Sequence, residues 1–384
     1  MTSATPRPMA IPPAPPLVEI LASRIRANGP LTFAEYMEAC LYHPEFGYYT
    51  KPAQQGRRDY FTSVDVGPLF GGFLARQIHE MWATLGGPSH FEIVEAGAGT
   101  GALAKHILDF AAVKFPDFYE SLRYRAVEYS EPRRMVATAG LTRHTKAKRF
   151  ESSGDLPAEI SCGCIFSNEF FDALPVHRVL GDANGLRELY VEHSENGFYE
   201  QPGPMSRPAL ALYFERHGIT LLPDQQAEVN LKACRWIREA GTRLTTGYVL
   251  TIDYGYEAAE LFDARHMRGT LLAYERHRAS EKYFRAPGEQ DLTSHVDFTA
   301  IDRAGQRGGL ARTGFTSQSN FLLALARRSN FADLEGDGMN EQEQARARNI
   351  FKALVHPEGM GETFKILVQH KGVDPAALTG LAAL

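Results

Sequence analysis

Apolar residues recur at helical spacing from Leu17 to about Cys40: Leu17, Ile20, Leu21 and Ile25, then Phe33, Tyr36 and Met37, with a break at Asn28-Gly29-Pro30. The spacing predicts two helices joined by a turn. The aromatic, glycine-rich run from Leu41 to Tyr49 has neither helical nor strand periodicity. The same holds for Asp59-Tyr60-Phe61-Thr62-Ser63, beyond a polar basic stretch. Such sequence suits a loop that covers a pocket. A third helix is predicted from Gly67 to about Leu85. From Phe91 onward short apolar runs alternate with helical stretches. Strands are predicted at Phe91–Glu95, Tyr124–Glu128, Lys148–Glu151, Cys164–Asn168 and Tyr248–Asp253, with a helix from Gly101 to Phe115 after the first. This alternation predicts an α/β fold with a mostly parallel, doubly wound sheet.

Between the fourth and fifth strands the period drops to two from Val176 to Tyr199, with turn signals at Asp182-Ala183-Asn184-Gly185 and Glu195-Asn196-Gly197. That pattern predicts an inserted β meander, followed by a helix from Asp224 to Glu239. Leu310–Ser317 and Phe364–His370 predict a last strand pair, separated by a helical insertion. The chain then divides into a Pro-rich tail (1–16), a helical cap with its loop (17–86), and one α/β domain (87–384) with insertions at about 176–223 and 318–360.

Composition narrows the classes. Hydrophobic residues make up 44% of the 384, which supports a sizeable core. The net charge of -5 supplies no basic field for nucleic acid or an anionic membrane. The first 16 residues hold six prolines and no apolar run, so they read as a disordered tail rather than a targeting sequence. No stretch reaches the roughly 20 apolar residues of a membrane span. Four scattered cysteines without a CxxC pair point to a reducing compartment, hence the cytoplasm. Cys162 and Cys164 read as packing residues, and His43 and His356 as loop-fixing residues; no metal site is expected.

The strongest chemical signal is Glu95-Ala96-Gly97-Ala98-Gly99-Thr100-Gly101, between the first strand and its helix. Gly97, Gly99 and Gly101 permit a sharp turn and close approach of a ligand to the backbone. A dinucleotide fingerprint is formally satisfied, but a carboxylate at Glu95 would repel a pyrophosphate at the helix N-terminus. S-adenosylmethionine carries no phosphate and has a cationic amino group and sulfonium, so the acid favours it over NAD. Glu128, ending the second strand, can accept hydrogen bonds from ribose hydroxyls, with Tyr129 and Ser130 flanking the adenosine; Asp155 and Leu156 are candidates to border the adenine. The fourth strand runs into Asn168-Glu169-Phe170-Phe171-Asp172. Ligands of such sheets bind beyond the carboxyl ends of the strands, which puts Asn168 and Glu169 at the point of methyl transfer. Glu169 and Asp172 are candidates to hold a protonated arginine acceptor, the alternative being that both cap a following helix.

Several segments in order resemble the MidA-like methyltransferases. They are Tyr42-His43-Pro44 with Gly47-Tyr48-Tyr49, Phe61-Thr62-Ser63, the Glu95–Gly101 turn, Val127-Glu128-Tyr129-Ser130, Asn168 to Arg178, Asp253-Tyr254-Gly255-Tyr256, Gly269-Thr270-Leu271, Gly288 with Asp291 to Phe298, and Met360-Gly361 with Phe364-Lys365. After Phe61-Thr62-Ser63 the chain departs from the family's usual Pro-Glu with Val64-Asp65. The family includes the mitochondrial complex I assembly factor that methylates an arginine of a core NADH dehydrogenase subunit. The resemblance implies a Rossmann-like class I core with a seven-stranded sheet, S-adenosylmethionine as cofactor, and an arginine side chain of a protein as acceptor in a bacterial member. It also implies that Thr62 and Ser63 reach the cofactor and that Tyr254, Gly255 and His295 line the acceptor cleft. Two rival readings remain: an S-adenosylmethionine-binding assembly factor without turnover, and an NAD-dependent oxidoreductase.

Overall fold

The computed structural model describes residues 16–51, 67–275, 278–334, 339–374 and 377–383. Residues 1–15 of the expected tail and the expected cofactor contacts Thr62 and Ser63 lie outside these.

Helix α1 (Pro16–Asn28) and helix α2 (Phe33–Tyr42) occupy the predicted positions. Helix α2 starts sharply because Thr32 and Glu35 form a reciprocal capping box: the Glu35 amide donates to Thr32 Oγ1 (3.2 Å) and the Thr32 amide to Glu35 Oε2 (2.9 Å). Their apolar faces do not meet the large sheet. Leu17, Leu21, Ile25, Phe33 and Met37 pack instead with Val176 and Val191 of the insertion and with Leu271 and Leu292. Backbone pairing reinforces this, since Leu31 and Thr32 pair antiparallel with Val191 and Tyr190.

Helix α3 (Pro68–Thr84) behaves differently. It buries Phe70, Phe73, Leu74 and Ile78 in the core of the main sheet and lies against helix α4 (Ala102–Lys114). The approach is close enough that a Cβ on Gly71 would fall 2.4 Å from that of His106.

The main sheet contains, in chain order, β1 (Phe91–Ala96), β2 (Leu122–Val127), β3 (Phe150–Ser153), β4 (Ile160–Asn168), β5 (Leu244–Tyr256), β6 (Ala311–Ser317) and β7 (Phe364–Lys371). Across the sheet the order is β6-β7-β5-β4-β1-β2-β3. The contacts among β3, β2, β1, β4 and β5 are parallel; β7 runs antiparallel to both neighbours. The two-residue strand Val296–Asp297 pairs with the end of β5, so among the described residues the sheet has eight strands where seven were expected. Strands buried on both faces explain the near-continuous apolar runs. The burial of β1 is complete.

The insertion forms an antiparallel sheet in which Leu31–Thr32 joins His177–Asp182, Gly185–Ser194, Gly197–Gly203 and Gln226–Val229. The last of these corrects the predicted helix from Asp224. Residues 226–229 are a strand, and the helix begins at Leu231, where Asn230 Oδ1 accepts the Ala233 amide at 2.8 Å. Tertiary pairing with His177–Leu180 overrides helical propensity here. The pairing also brings Glu228 to the buried guanidinium of Arg178, which meets Glu228 (3.3 Å), Gln226 (2.6 Å) and Tyr283 (2.6 Å). A third sheet of Leu272–Glu275, Arg278–Ser280 and Asp291–Thr293 leans on α2 and the insertion.

Candidate active site

The strand order reverses between β1 and β4, and the crevice beyond the carboxyl ends of the strands at such a switch point is where open α/β sheets bind ligands. Glu95, Glu128, Asn168 and Asp253 all stand at or near those ends.

The turn after β1 is pinned to the end of β2, because the amides of Gly97 and Ala98 both donate to the Val127 carbonyl (2.9 and 3.1 Å). All three glycines adopt positive φ: 70° at Gly97, 54° at Gly99 and 76° at Gly101. They do so for different reasons. A Cβ on Gly97 would strike the Phe170 ring at 2.8 Å and one on Gly101 would strike Ala137 and Leu141 at 2.9 Å, whereas one on Gly99 would meet nothing within 4 Å. Gly99 therefore faces open space, and the other two face packing.

Glu95 is 4% exposed and accepts a 2.7 Å hydrogen bond from the Tyr124 hydroxyl. Burial pushes its carboxyl up to about 8, with the charge of Glu128 acting in the same direction. Burial and Glu128 thus shift Glu95 toward its neutral form, against the fixed negative rim expected from sequence. Glu128 is also buried; Oε2 accepts the Gly99 amide (2.9 Å) and Oε1 the Ser130 amide (2.8 Å). Each oxygen keeps a further acceptor position. The Ser130 hydroxyl is buried without a partner among the described residues. Tyr129 is 62% exposed beside this edge, while Asp155 is exposed and Leu156 packs against the core under the sheet.

The segment after β4 does not enter a helix, which removes helix capping as an explanation of Glu169 and Asp172. Glu169 has a left-handed backbone (φ 51°), its amide donating to the Ile252 carbonyl at 3.0 Å. For a glutamate that conformation costs about 1–2 kcal/mol and persists only where the surroundings enforce it. Asp253, fully buried near the end of β5, does the enforcing: its Oδ2 accepts the amides of Phe170 (3.1 Å) and Phe171 (2.9 Å), and its Oδ1 accepts that of Tyr254 (3.0 Å). Asn168 Nδ2 donates to Glu169 Oε1 at 3.0 Å, and Asn168 Oδ1 is buried without a partner among the described residues. Asp172 accepts the Tyr254 hydroxyl, and burial raises its carboxyl to about 6.

Of the residues expected in the acceptor cleft, Tyr254 joins the transfer segment through Asp172. His295 stacks edge-on against Tyr254 with centroids 5.4 Å apart, and burial lowers its imidazole to about 4. Gly255 is a packing position: a Cβ there would lie 2.1 Å from the Val296 carbonyl oxygen. Sequence reasoning missed Asp253 as a site residue, although it ends a strand at the crevice, and missed Tyr42, Tyr49 and Asp291. The Tyr42 hydroxyl donates to the Ala173 carbonyl (3.1 Å) and that of Tyr49 to Asp291 (2.7 Å).

Residues 73–316 match the family model described as "Putative S-adenosyl-L-methionine-dependent methyltransferase". A Burkholderia thailandensis protein crystallised with S-adenosyl-homocysteine superposes with a TM-score of 0.85 at 32% identity, covering 95% of this chain and 94% of that one. The mitochondrial protein arginine methyltransferase NDUFAF7 of Danio rerio is 28% identical over 91% of this chain and 85% of its own. The human NDUFAF7 protein is 28% identical over 92% and 82%.

The open face of Gly99, the two-oxygen acceptor at Glu128 and the partnerless polar atoms of Ser130 and Asn168 fit a nucleoside with hydroxyl and amino donors. The cofactor is S-adenosylmethionine, and the oxidoreductase alternative is set aside. On the family match and the near-full-length structural likeness, the chain belongs to the MidA-like family of S-adenosylmethionine-dependent methyltransferases.

Proposed function

We propose that this methyltransferase acts on an arginine side chain of a protein, with Asn168, Glu169 and Asp172 at the transfer point. The observation that carries the reading is the cluster of Glu169, Asp172 and Asp253 at the ends of β4 and β5, in which a strained glutamate is fixed by the fully buried Asp253. An arginine guanidinium is cationic at pH 7 with its lone pairs delocalised, so carboxylates that hold and orient it also stabilise positive charge as a nitrogen attacks. The name of the NDUFAF7 relatives points the same way.

When bound, S-adenosylmethionine supplies a methyl group made electrophilic by its sulfonium. Gly97, Gly99 and Gly101 would shape the turn beside it, Glu128 would accept from the ribose, Ser130 and Tyr129 would flank the adenosine, and the Glu95–Gly101 turn would hold the methionine end. Glu169 orients the guanidinium, with Asn168 steering the carboxylate through their shared hydrogen bond. In the transfer one nitrogen–carbon bond forms and one carbon–sulfur bond breaks, with the electron pair leaving on sulfur. The surplus guanidinium proton passes to Asp172, whose raised affinity for protons suits that role. Asp155 and Leu156 remain adenine-side candidates. An NADH dehydrogenase subunit is the first acceptor to try, following the family resemblance.

The test is incubation of the full chain with labelled donor in lysate from a deletion strain, followed by mass spectrometry. Label on arginine is the expected result. Label confined to another residue type would refute the arginine assignment, and donor binding without any label would favour an assembly factor that does not turn over.

A further inference from the structure

Glu95, the penultimate residue of β1, stands beside Ala126 of β2 and Phe166 of β4 in the parallel register. Among the described residues no cation pairs with it, and the charged group that acts on it is a second acid, Glu128. A buried carboxyl so placed needs either a proton or a cation from outside the chain. Tyr124 lies two residues before Ala126 and therefore on the same face of β2. It is fully buried, its ring between those of Phe150 (centroids 6.1 Å apart) and Phe166 (6.3 Å). Ala126 has no side chain beyond Cβ, which leaves the Tyr124 hydroxyl free to reach Glu95 Oε2 at 2.7 Å. A phenylalanine would fill the aromatic cluster equally well, so packing does not account for the hydroxyl.

That hydroxyl has an electrostatic effect. A hydrogen bond donated to a carboxylate favours its charged form, whereas burial and the neighbouring Glu128 favour the neutral one. The two influences leave Glu95 titrating at about 8, within reach of either form. The remaining titratable group that acts on the pair is Cys164 of β4, whose thiol is itself pushed up by burial. His106 of α4 lies against Gly71 of α3. A cation arriving beside Glu95 tips the balance to the carboxylate, and the Tyr124 bond lowers the cost of that ionisation.

We propose that Tyr124 is a positioning residue of the donor site: its hydroxyl readies Glu95 to release a proton to solvent when the ammonium of the donor's methionine end arrives. Donor uptake is thereby proton-linked. The inference rests on the reading above that the Glu95–Gly101 turn holds the methionine end, and adds to it the group that sets the charge of the turn.

The test is calorimetric titration of the full chain with S-adenosyl-homocysteine, which carries the ammonium, and with 5′-methylthioadenosine, which lacks it. In the wild type S-adenosyl-homocysteine should bind about tenfold tighter or more at pH 8 than at pH 6. Titrations at pH 7 in buffers of different ionisation heat should show about one proton released. Tyr124→Phe should weaken S-adenosyl-homocysteine about tenfold at pH 7 and move the rise up by about one pH unit, so that the gap closes toward pH 9. Glu95→Gln should flatten the profile. At each pH 5′-methylthioadenosine should bind the wild type and both variants alike, which also shows them to be folded. Superposable profiles for wild type and Tyr124→Phe, or a loss that persists undiminished at pH 9, would overturn the role of Tyr124. Absence of proton release in the wild type would overturn the linkage without recourse to any variant. An unaltered profile in Glu95→Gln would instead overturn the placement of the methionine end at this turn.

Discussion

The proposed donor half and the proposed acceptor half of the crevice are built in opposite ways. The donor half uses two short contiguous stretches, Glu95–Gly101 and Glu128–Ser130, and holds its geometry by backbone hydrogen bonds to Val127 and to the Glu128 carboxylate. The acceptor half gathers side chains from α2 and its loop, the Asn168–Asp172 segment, the end of β5 and the Asp291–His295 stretch, and holds them through Asp253, Tyr254 and Asp291. A site made of backbone tolerates changes of neighbouring side chains; a site made of long-range side-chain contacts can change its ligand by single substitutions. The first half therefore suits a constant cofactor and the second a variable acceptor.

The sharpest way to break this division is Gly99→Val. A β-branched residue at φ 54° is strained, and its methyls enter the one face of the turn that is open. Donor binding should be abolished by calorimetry in a folded variant, and unchanged affinity would remove Gly99 from the site. Next in size, Glu169→Gln should retain donor affinity but lose transfer by about 100-fold or more. Wild-type turnover would reduce Glu169 to a turn residue. Glu128→Gln keeps the shape but gives up charged hydrogen bonds; donor affinity should drop about tenfold, with little change in kcat at saturating donor.

The smallest effect concerns pH. The neutral form of Glu95 is favoured in the folded chain, where its carboxyl titrates at about 8, whereas in the unfolded chain it titrates near 4.5. Stability from that difference is complete below the unfolded value and is lost as pH rises to about 8. The buried Asp172 and Asp297, each raised to about 6, add the same slope only at lower pH, and burial raises the Asp253 carboxyl in the same direction. Between pH 6 and 8 the melting temperature of ligand-free protein should fall, and Glu95→Gln should flatten the decline. An equal slope in the variant would place the titrating group elsewhere.

The strand, the glycine turn and the acid after the next strand were legible in the sequence because their signals are local. The core strands were legible for a similar reason, since burial on both faces writes uninterrupted apolar runs. Gln226–Val229 was not, because a four-residue strand with alternating polar residues takes its conformation from pairing with the insertion. Glu169 could be placed at the crevice, but its left-handed backbone and the absence of a helix after it depend on Asp253, more than 80 positions away in the chain. The state of Glu95 was hidden as well, since Tyr124 and the surrounding burial set it. Tyr42, Tyr49 and Asp291 lay within recognisable segments, yet nothing in their spacing says that they converge.

The pairing of Leu31 with Val191 has a temporal consequence. Joining positions so distant in the chain carries a large loop-closure entropy, whereas β1, its turn and β2 are near neighbours. During synthesis the nucleoside pocket can form before the N-terminal helices find their partner strand, so a nascent molecule should be able to take up its small ligand before it can grip a polypeptide.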